Sequence, residues 1–408
     1  MTNVFDTLRE RGFIQQTSHE EKLRTLLSEE KITAYVGFDP TSDSLHVGHL
    51  LPIMALIHLK RAGHRTIALV GGGTAMIGDP SGRTELRKMM SRETICSNVE
   101  AIRHQLERIL SRVPGDMLIV NNADWILDLN YISFLREVGS QFSVNRMLTA
   151  ECFRARLERG LSFIEFNYML LQAYDFLTLY RKYGCRVQFG GDDQWSNILA
   201  GADLIRRLEQ AEAYAFTLPL LTTSSGKKMG KTEAGAVWLD PGKTSPYEFY
   251  QYWRNCADSD VERLLSLYTF LPMEEVRKLG ALRDRAINRA KEILAFEVTR
   301  FVHGEEEAKK AQDAARALFA SGGSEEAAPI SEISGERIAA GVDLSELMNE
   351  VGLVKSNSEA RRLIDQGGVY INDTRVQDRF RQVTLADVKD GKIVLRKGKK
   401  AYHIVKVI

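Results

Sequence analysis

Between Asp43 and Pro52 the chain reads DSLHVGHLLP. His46 and His49 stand three apart, so on a helical turn they share a face. Gly48 between them leaves room for a flat or anionic ligand to approach the backbone. The apolar run that follows puts the pair at a helix start, where free N–H groups and a partial positive charge suit phosphate. Imidazoles placed there can donate hydrogen bonds to phosphate oxygens. The plain alternative is a pair of capping or surface residues. A metal is the weaker reading, because no third ligand stands nearby at a suitable spacing. Pro52 removes a hydrogen bond from a helix interior, so the regular helix is expected to begin no earlier than His49–Leu51, with His46 on the approach.

Three other segments carry residues of the right chemistry. SSGKKMGKTEAG (Ser224–Gly235) sets Lys227, Lys228 and Lys231 among small residues. A mobile lysine loop suits charge that builds on phosphate oxygens in a transition state, although it follows no GxxxxGK pattern. GDPSG places Asp79 in a turn, with Arg83 and Arg87 beyond it. The glycines before it form no dinucleotide fingerprint, since Met76 falls where the third glycine belongs. In FNYMLLQAYDFLTL, Tyr168, Gln172 and Asp175 occupy i, i+4 and i+7, one face of a helix. Burying polar groups in so apolar a stretch costs free energy unless each is paired, which favours a polar pocket over a solvated stripe.

These segments need a scaffold. TAYVGFD (Thr33–Asp39), a helical Leu50–Lys60 run and TIALVGG (Thr66–Gly72) read as strand, helix, strand, which is a βαβ crossover and hence a parallel sheet. Met117–Ala123 and Cys185–Gly191 are further strands, and Ser162–Lys182 a further helix. In open sheets of this kind ligands bind beyond the carboxyl ends of the strands, where the histidine loop lies. Residues 1–235 are therefore expected to be an α/β domain with a doubly wound parallel sheet. Residues 236–319 are helical in pattern, 320–340 contain the small, polar linker ASGGSEEAAP, and 341–408 form a small α+β module.

HVGH followed far downstream by KMGKT resembles the paired signatures of the class I aminoacyl-tRNA synthetases. YVGFDPTSDSLHVGHL, IGDPSG, FNYMLLQAYDF, GGDDQWSNI and KTSPYEFYQ resemble the bacterial tyrosyl-tRNA synthetases, and the last module is similar to an S4-type RNA-binding domain. The likeness covers essentially the whole chain. It implies a Rossmann-like catalytic domain, an all-α domain for the anticodon region of tRNA and an S4-like RNA-binding domain. It implies that His46, His49, Lys228 and Lys231 bind ATP phosphates and stabilise the transition state, with Arg83 and Arg87 at basic positions of a phosphate-facing loop. Tyr35 and Asp175 would hold the phenol hydroxyl of tyrosine. Asp79, Tyr168 and Gln172 would hold its ammonium group, and Gln194 would lie near its carboxylate. Gly37, Asp39, Gly48, Gly191 and Asp193 would complete the ATP site, Asp193 at the ribose. Lys355, Arg361 and Arg362 would contact RNA. The signature is usually Lys-Met-Ser-Lys-Ser, so Gly230 offers no hydroxyl where the family has one. A site built to bond a hydroxyl rejects the analogue lacking it, tyrosine against phenylalanine in this family being the known case, and needs no editing domain.

The resemblance implies ATP with Mg²⁺, L-tyrosine and tRNA(Tyr) as partners, no structural metal, and a homodimer formed through the α/β domain, around Phe163. Composition agrees in outline. Net charge is +1, so RNA contacts must come from local basic surface such as RKGKK (Arg396–Lys400) rather than a global field. The four cysteines are scattered, which argues against zinc and against a disulfide framework and fits the cytoplasm. No apolar run is long enough to span a membrane, and MTNVFDTLRERGF has no signal-peptide core. Rival readings are a tryptophan-specific synthetase, a nucleotidyltransferase, and an RNA-binding protein whose synthetase-like domain is catalytically idle.

Overall fold

The computed structural model of the protein describes residues 3–408 apart from 80, 82–89, 151–152, 155–156, 158–159, 223–228, 233–234, 321–328, 355, 390 and 399–400, and the side chains of 231–232 and 317–320 also lie outside the description. The chain divides into two compact units, Met1–Ala308 and Lys309–Ile408.

The first unit is built on a five-stranded sheet: β1 (Thr33–Phe38), β2 (Arg65–Val70), β3 (Met117–Asn121), β4 (Cys185–Gly191) and β5 (Tyr214–Leu218). The spatial order is β3-β2-β1-β4-β5 and every pairing is parallel. The chain thus winds outward both ways from β1, and the crevice between β1 and β4 is the topological switch point. β5 was not among the strands expected from sequence, because YAFTL follows a helix end with no turn signal of its own.

Two helices position the site, and each has a local cause. Phe163–Tyr183 starts at a capping box, with Ser162 and Glu165 bonding each other's backbone N–H, and stops at Gly184 in the left-handed conformation. Its apolar face meets the sheet around Tyr35, Ile67, Phe176 and Leu179. Val47–Arg61 begins earlier than Pro52 suggested. His46 Nδ1 accepts the Gly48 N–H at 3.0 Å, His49 Nδ1 accepts the His46 N–H at 3.1 Å, and the Val47 N–H donates to the Val237 carbonyl at 2.9 Å. These bonds satisfy the first-turn donors and hold the helix open to Val47, so Pro52 lies inside it and leaves only the Gly48 carbonyl without its helical donor.

After Ser245 the same unit continues in helices Pro246–Arg254, Val261–Tyr268, Met273–Gly280 and Ile287–His303. They bury Phe249, Trp253, Leu264 and Val298. Among the described residues no helix is long and apolar enough to cross a membrane.

The second unit carries a mixed five-stranded sheet and the helices Leu344–Glu350 and Asn357–Asp365, packed over Leu347, Ile364, Ile393 and Leu395. Part of the span read as linker contributes to it. Ile330–Ile333 is a strand parallel to Ala401–Val407, and Gly335–Ala339 is a helix. The strand is an edge strand that exposes Ile330 and Glu332 and buries Ile333.

Candidate active site

A cleft of about 340 Å³ opens at the β1/β4 switch point. Of the site residues read from sequence, Tyr35, Gly37, Asp39, His46, Gly48, His49, Asp79, Tyr168, Gln172, Asp175, Gly191, Asp193 and Gln194 all line it. Arg83, Arg87 and Lys228 lie outside the described residues, as does the side chain of Lys231, whose backbone forms a short strand with Gly235–Ala236.

At the rim, the two histidine rings lie 4.0 Å apart, tilted by 33°. Both are caps, and the capping is what orients them. Because each Nδ1 accepts a backbone N–H, the neutral rings hold their remaining proton on Nε2, the donor that an anionic oxygen needs. Gly48 is required for this fold-back. A Cβ there would stand 2.7 Å from His46 Cε1. Capping and phosphate binding are therefore compatible uses of one arrangement.

The floor is a connected hydrogen-bond path. Asp175 accepts from Trp125 Nε1 at 2.7 Å and from Asn122 Nδ2 at 2.9 Å. Asn122 also donates to Thr74 Oγ1 at 3.0 Å, Thr74 donates to Asp39 at 3.0 Å, and the Tyr168 hydroxyl donates to Asp39 at 2.9 Å. Gly71 makes room for the Asp39–Thr74 contact, since a Cβ there would come within 2.1 Å of Asp39 Oδ1. Burial pushes the Asp175 carboxyl up to about 7 against the pull of the Asn122 and Trp125 bonds. Burial, then the nearby Asp39, pushes Asp79 up to about 6. Gln194 donates to Asp79 at 2.7 Å. An ammonium group placed among Asp39, Asp79 and Tyr168 would relieve this crowding of buried negative charge.

Three buried polar atoms in the cleft have no hydrogen-bond partner among the described residues: the Tyr35 hydroxyl, Gln172 Oε1 and Gln188 Oε1. Tyr35 and Gln188 are register partners across β1 and β4. An orphan polar atom in so buried a place costs free energy unless a ligand pairs with it. Together with Asp175 they present a donor and acceptors to the cleft, and the Tyr35 ring that carries the donor is packed 5.3 Å from that of Phe176.

Sequence reasoning missed Asn122, Trp125, Thr74 and Gln188. The available signal was position: NNADW closes β3 and runs on from it, at the carboxyl end of the sheet, and Asn122 is wholly buried. In the second unit Arg361 faces Asp343 at 3.6 Å and the Phe380 ring at 5.4 Å, while Arg362 is exposed and Lys355 lies outside the described residues. Arg396 lies 3.8 Å over the Tyr370 ring and Lys397 pairs with Glu359 at 2.8 Å, so the described half of the RKGKK cluster is engaged within the unit.

Comparison with known proteins returns two family matches. The family described as tRNA synthetases class I (W and Y) matches residues 27–320, and the tyrosine–tRNA ligase SYY-like C-terminal domain matches residues 326–405. A tyrosine–tRNA ligase of Acetivibrio thermocellus is 58% identical over 408 residues, 100% of both chains. One from Caldanaerobacter subterraneus subsp. tengcongensis is 60% identical over 401 residues, 98% of each. Among solved structures, a C-terminally truncated mitochondrial tyrosyl-tRNA synthetase of Aspergillus nidulans superposes with a TM-score of 0.71 at 32% identity, covering 78% of this chain and 95% of that one.

Proposed function

The chain belongs to the tyrosine–tRNA ligases of class I, and from that membership we propose how its own residues divide the reaction. The enzyme activates L-tyrosine with ATP and transfers it to tRNA. In the first step the tyrosine carboxylate attacks the α-phosphate of ATP and expels pyrophosphate. A carboxylate is already a nucleophile, so no general base is required, and catalysis consists of positioning and electrostatic stabilisation. In the second step a terminal ribose hydroxyl of tRNA(Tyr) attacks the adenylate carbonyl and AMP leaves.

Tyr35 and Asp175 bond the substrate phenol. Asp79, Tyr168 and Gln172 receive its ammonium group, and Gln194 lies by its carboxylate. Asp193, beside Gly191, takes the ribose, and Gly37 and Asp39 complete the ATP site with Gly48. His46 and His49 donate from Nε2 to the phosphates, joined by Lys228, Lys231, Arg83 and Arg87 as the family likeness implies. Mg²⁺ would accompany ATP as part of that substrate and would offset its negative charge; among the described residues no group of three or more His, Cys, Asp or Glu side chains is arranged to hold a metal.

The observation that carries this reading is the pairing of a wired, buried Asp175 with three unpartnered polar atoms in the same cleft as two Nε2–H imidazoles. Tyrosine-dependent ATP–pyrophosphate exchange tests it. Exchange with tyrosine and not with tryptophan or phenylalanine is the expected result, and Asp175→Ala should erode that selectivity; undiminished selectivity would remove the pocket assignment.

The helices after residue 235 and the second unit serve tRNA in this reading. Deleting residues 330–408 should preserve adenylate formation and abolish charging; undiminished charging would exclude an RNA-binding role. The enzyme acts as a cytoplasmic homodimer. The exposed apolar side chains of Tyr131, Ile132, Leu135, Val144, Phe163 and Ile164, all in the α/β part of the chain, support the dimer. Phe163→Asp should lower the sedimentation coefficient to that of a monomer.

A further inference from the structure

The lysine loop and the histidine helix meet at Gly230, and what holds the Gly230 amide comes from neither. We propose that Tyr252 is a positioning residue for tyrosine activation, its hydroxyl holding the Gly230 peptide against the start of the Val47–Arg61 helix. This rests on the assignment of His46 and His49 to the ATP phosphates.

Gly230 adopts φ 84°, in the left-handed region. Its backbone lies directly on the first turn of the helix: a Cβ at Gly230 would stand 3.2 Å from the Gly48 nitrogen, 3.6 Å from Val47 Cβ and 3.7 Å from His46 Nδ1. On its carbonyl side the residue is tied into a ladder. The Val237 N–H donates to Gly230 at 3.0 Å, and the Val237 carbonyl accepts from Val47 at 2.9 Å. On its amide side the tie is a side chain. The Gly230 N–H donates to the Tyr252 hydroxyl at 3.1 Å.

Glycine has the widest backbone freedom of any residue, so the orientation of this peptide depends on bonds from outside. Before it, Met229 lines the cleft and donates to the Leu221 carbonyl at 2.9 Å. After it, the chain runs to Lys231. The hydroxyl therefore sets the direction in which the chain passes the histidines. Where the family signature has serine, this chain has a residue with no side chain to anchor itself, and the anchor is supplied by the Pro246–Arg254 helix instead. The Tyr252 ring packs edge-on against Trp253 at 5.3 Å, and Trp253 is fully buried. Removing the hydroxyl alone leaves that packing intact. No residue of the tyrosine pocket hydrogen-bonds Tyr252, so tyrosine binding should not sense it.

The test is Tyr252→Phe in the full-length chain, beside His49→Asn. Three quantities are read: the single-turnover rate of tyrosyl-adenylate formation at saturating ATP, KM for tyrosine, and the rate of transfer to tRNA from preformed adenylate. Loss of one ordinary hydrogen bond from the activated arrangement slows adenylate formation about 3- to 10-fold. KM for tyrosine and the transfer rate should stay within about twofold. Gly230→Ala, strained in its left-handed conformation, should show the same split. Unchanged activation in Tyr252→Phe with slowed activation in His49→Asn would overturn the role of Tyr252 alone. Equal losses in activation and transfer would overturn it as well, by showing a general structural bond. Unchanged activation in both variants would remove the histidine assignment on which the proposal stands.

Discussion

The floor and the rim of one cleft are built on opposite plans. At the floor, Asp175, Asn122, Thr74, Asp39 and Tyr168 are linked side chain to side chain, and Trp125 completes the cage. At the rim, orientation comes from the backbone: amides at the helix start bond the two imidazoles, and Gly48 and Gly230 let main chains approach closely. The difference follows from what each must recognise. A phenol is told from a phenyl by one hydroxyl, and only buried groups with fixed partners make its absence costly. A triphosphate changes charge and shape during reaction, so its site needs donors aimed where charge develops.

His49→Asn breaks the rim while leaving the floor whole. It should slow adenylate formation about 100-fold or more, as for removal of one transition-state donor, with the equilibrium Kd for tyrosine within about twofold. A parallel rise in that Kd, by equilibrium dialysis, would show that floor and rim are one unit. Asn122→Ala is the converse. It removes a donor from Asp175 and unlinks Thr74, and should raise KM for tyrosine about tenfold, as expected for loss of a hydrogen bond to a charged group. The activation rate at saturating tyrosine should hold.

Acid should also act on the floor first. Burial raises Asp175 to about 7, so the accepting carboxylate is depleted as pH falls through neutrality. KM for tyrosine should rise as pH drops, by about tenfold one unit below that value, and a flat profile from about pH 8 to 6 would mean that this carboxylate does not accept the phenol. His58 supplies the contrast from outside the cleft. It is buried between Phe13 and Phe270, and burial, then Arg11 and Arg61, lowers it from 6.5 to about 3. Below pH 6.5 the unfolded chain takes up this proton and the native chain does not, so stability is lost as pH falls from 6.5 toward 3, by about 1.4 kcal/mol per unit at most. His58→Leu should reduce the fall in Tm between pH 7 and pH 5 and leave KM for tyrosine unchanged.

Much of the rim was legible because its information is local. His46, Gly48 and His49 sit within four residues, and spacing alone places them on one turn. The helical face of Tyr168, Gln172 and Asp175 was legible for the same reason, its period being written along one element. Pro52 misled the placement of the helix start, because the bonds that extend the helix to Val47 include one from Val237, 190 positions away. The wiring of Asp175 was hidden for a related reason. Asn122 and Trp125 follow β3, while Asp175 lies on the helix before β4, and nothing in NNADW names its partner.

By itself the sequence determined the α/β plan, the ordered pair of HVGH and KMGKT, and a polar face on an apolar helix, since each depends on periodicity or spacing within one segment. Only the tertiary structure decided which strands flank β1, and so where the crevice opens. It alone brought Thr74, Asn122 and Trp125 under Asp175, and Tyr252 to Gly230. Those are contacts between elements far apart in the chain, set by sheet order and packing, and no local pattern encodes them.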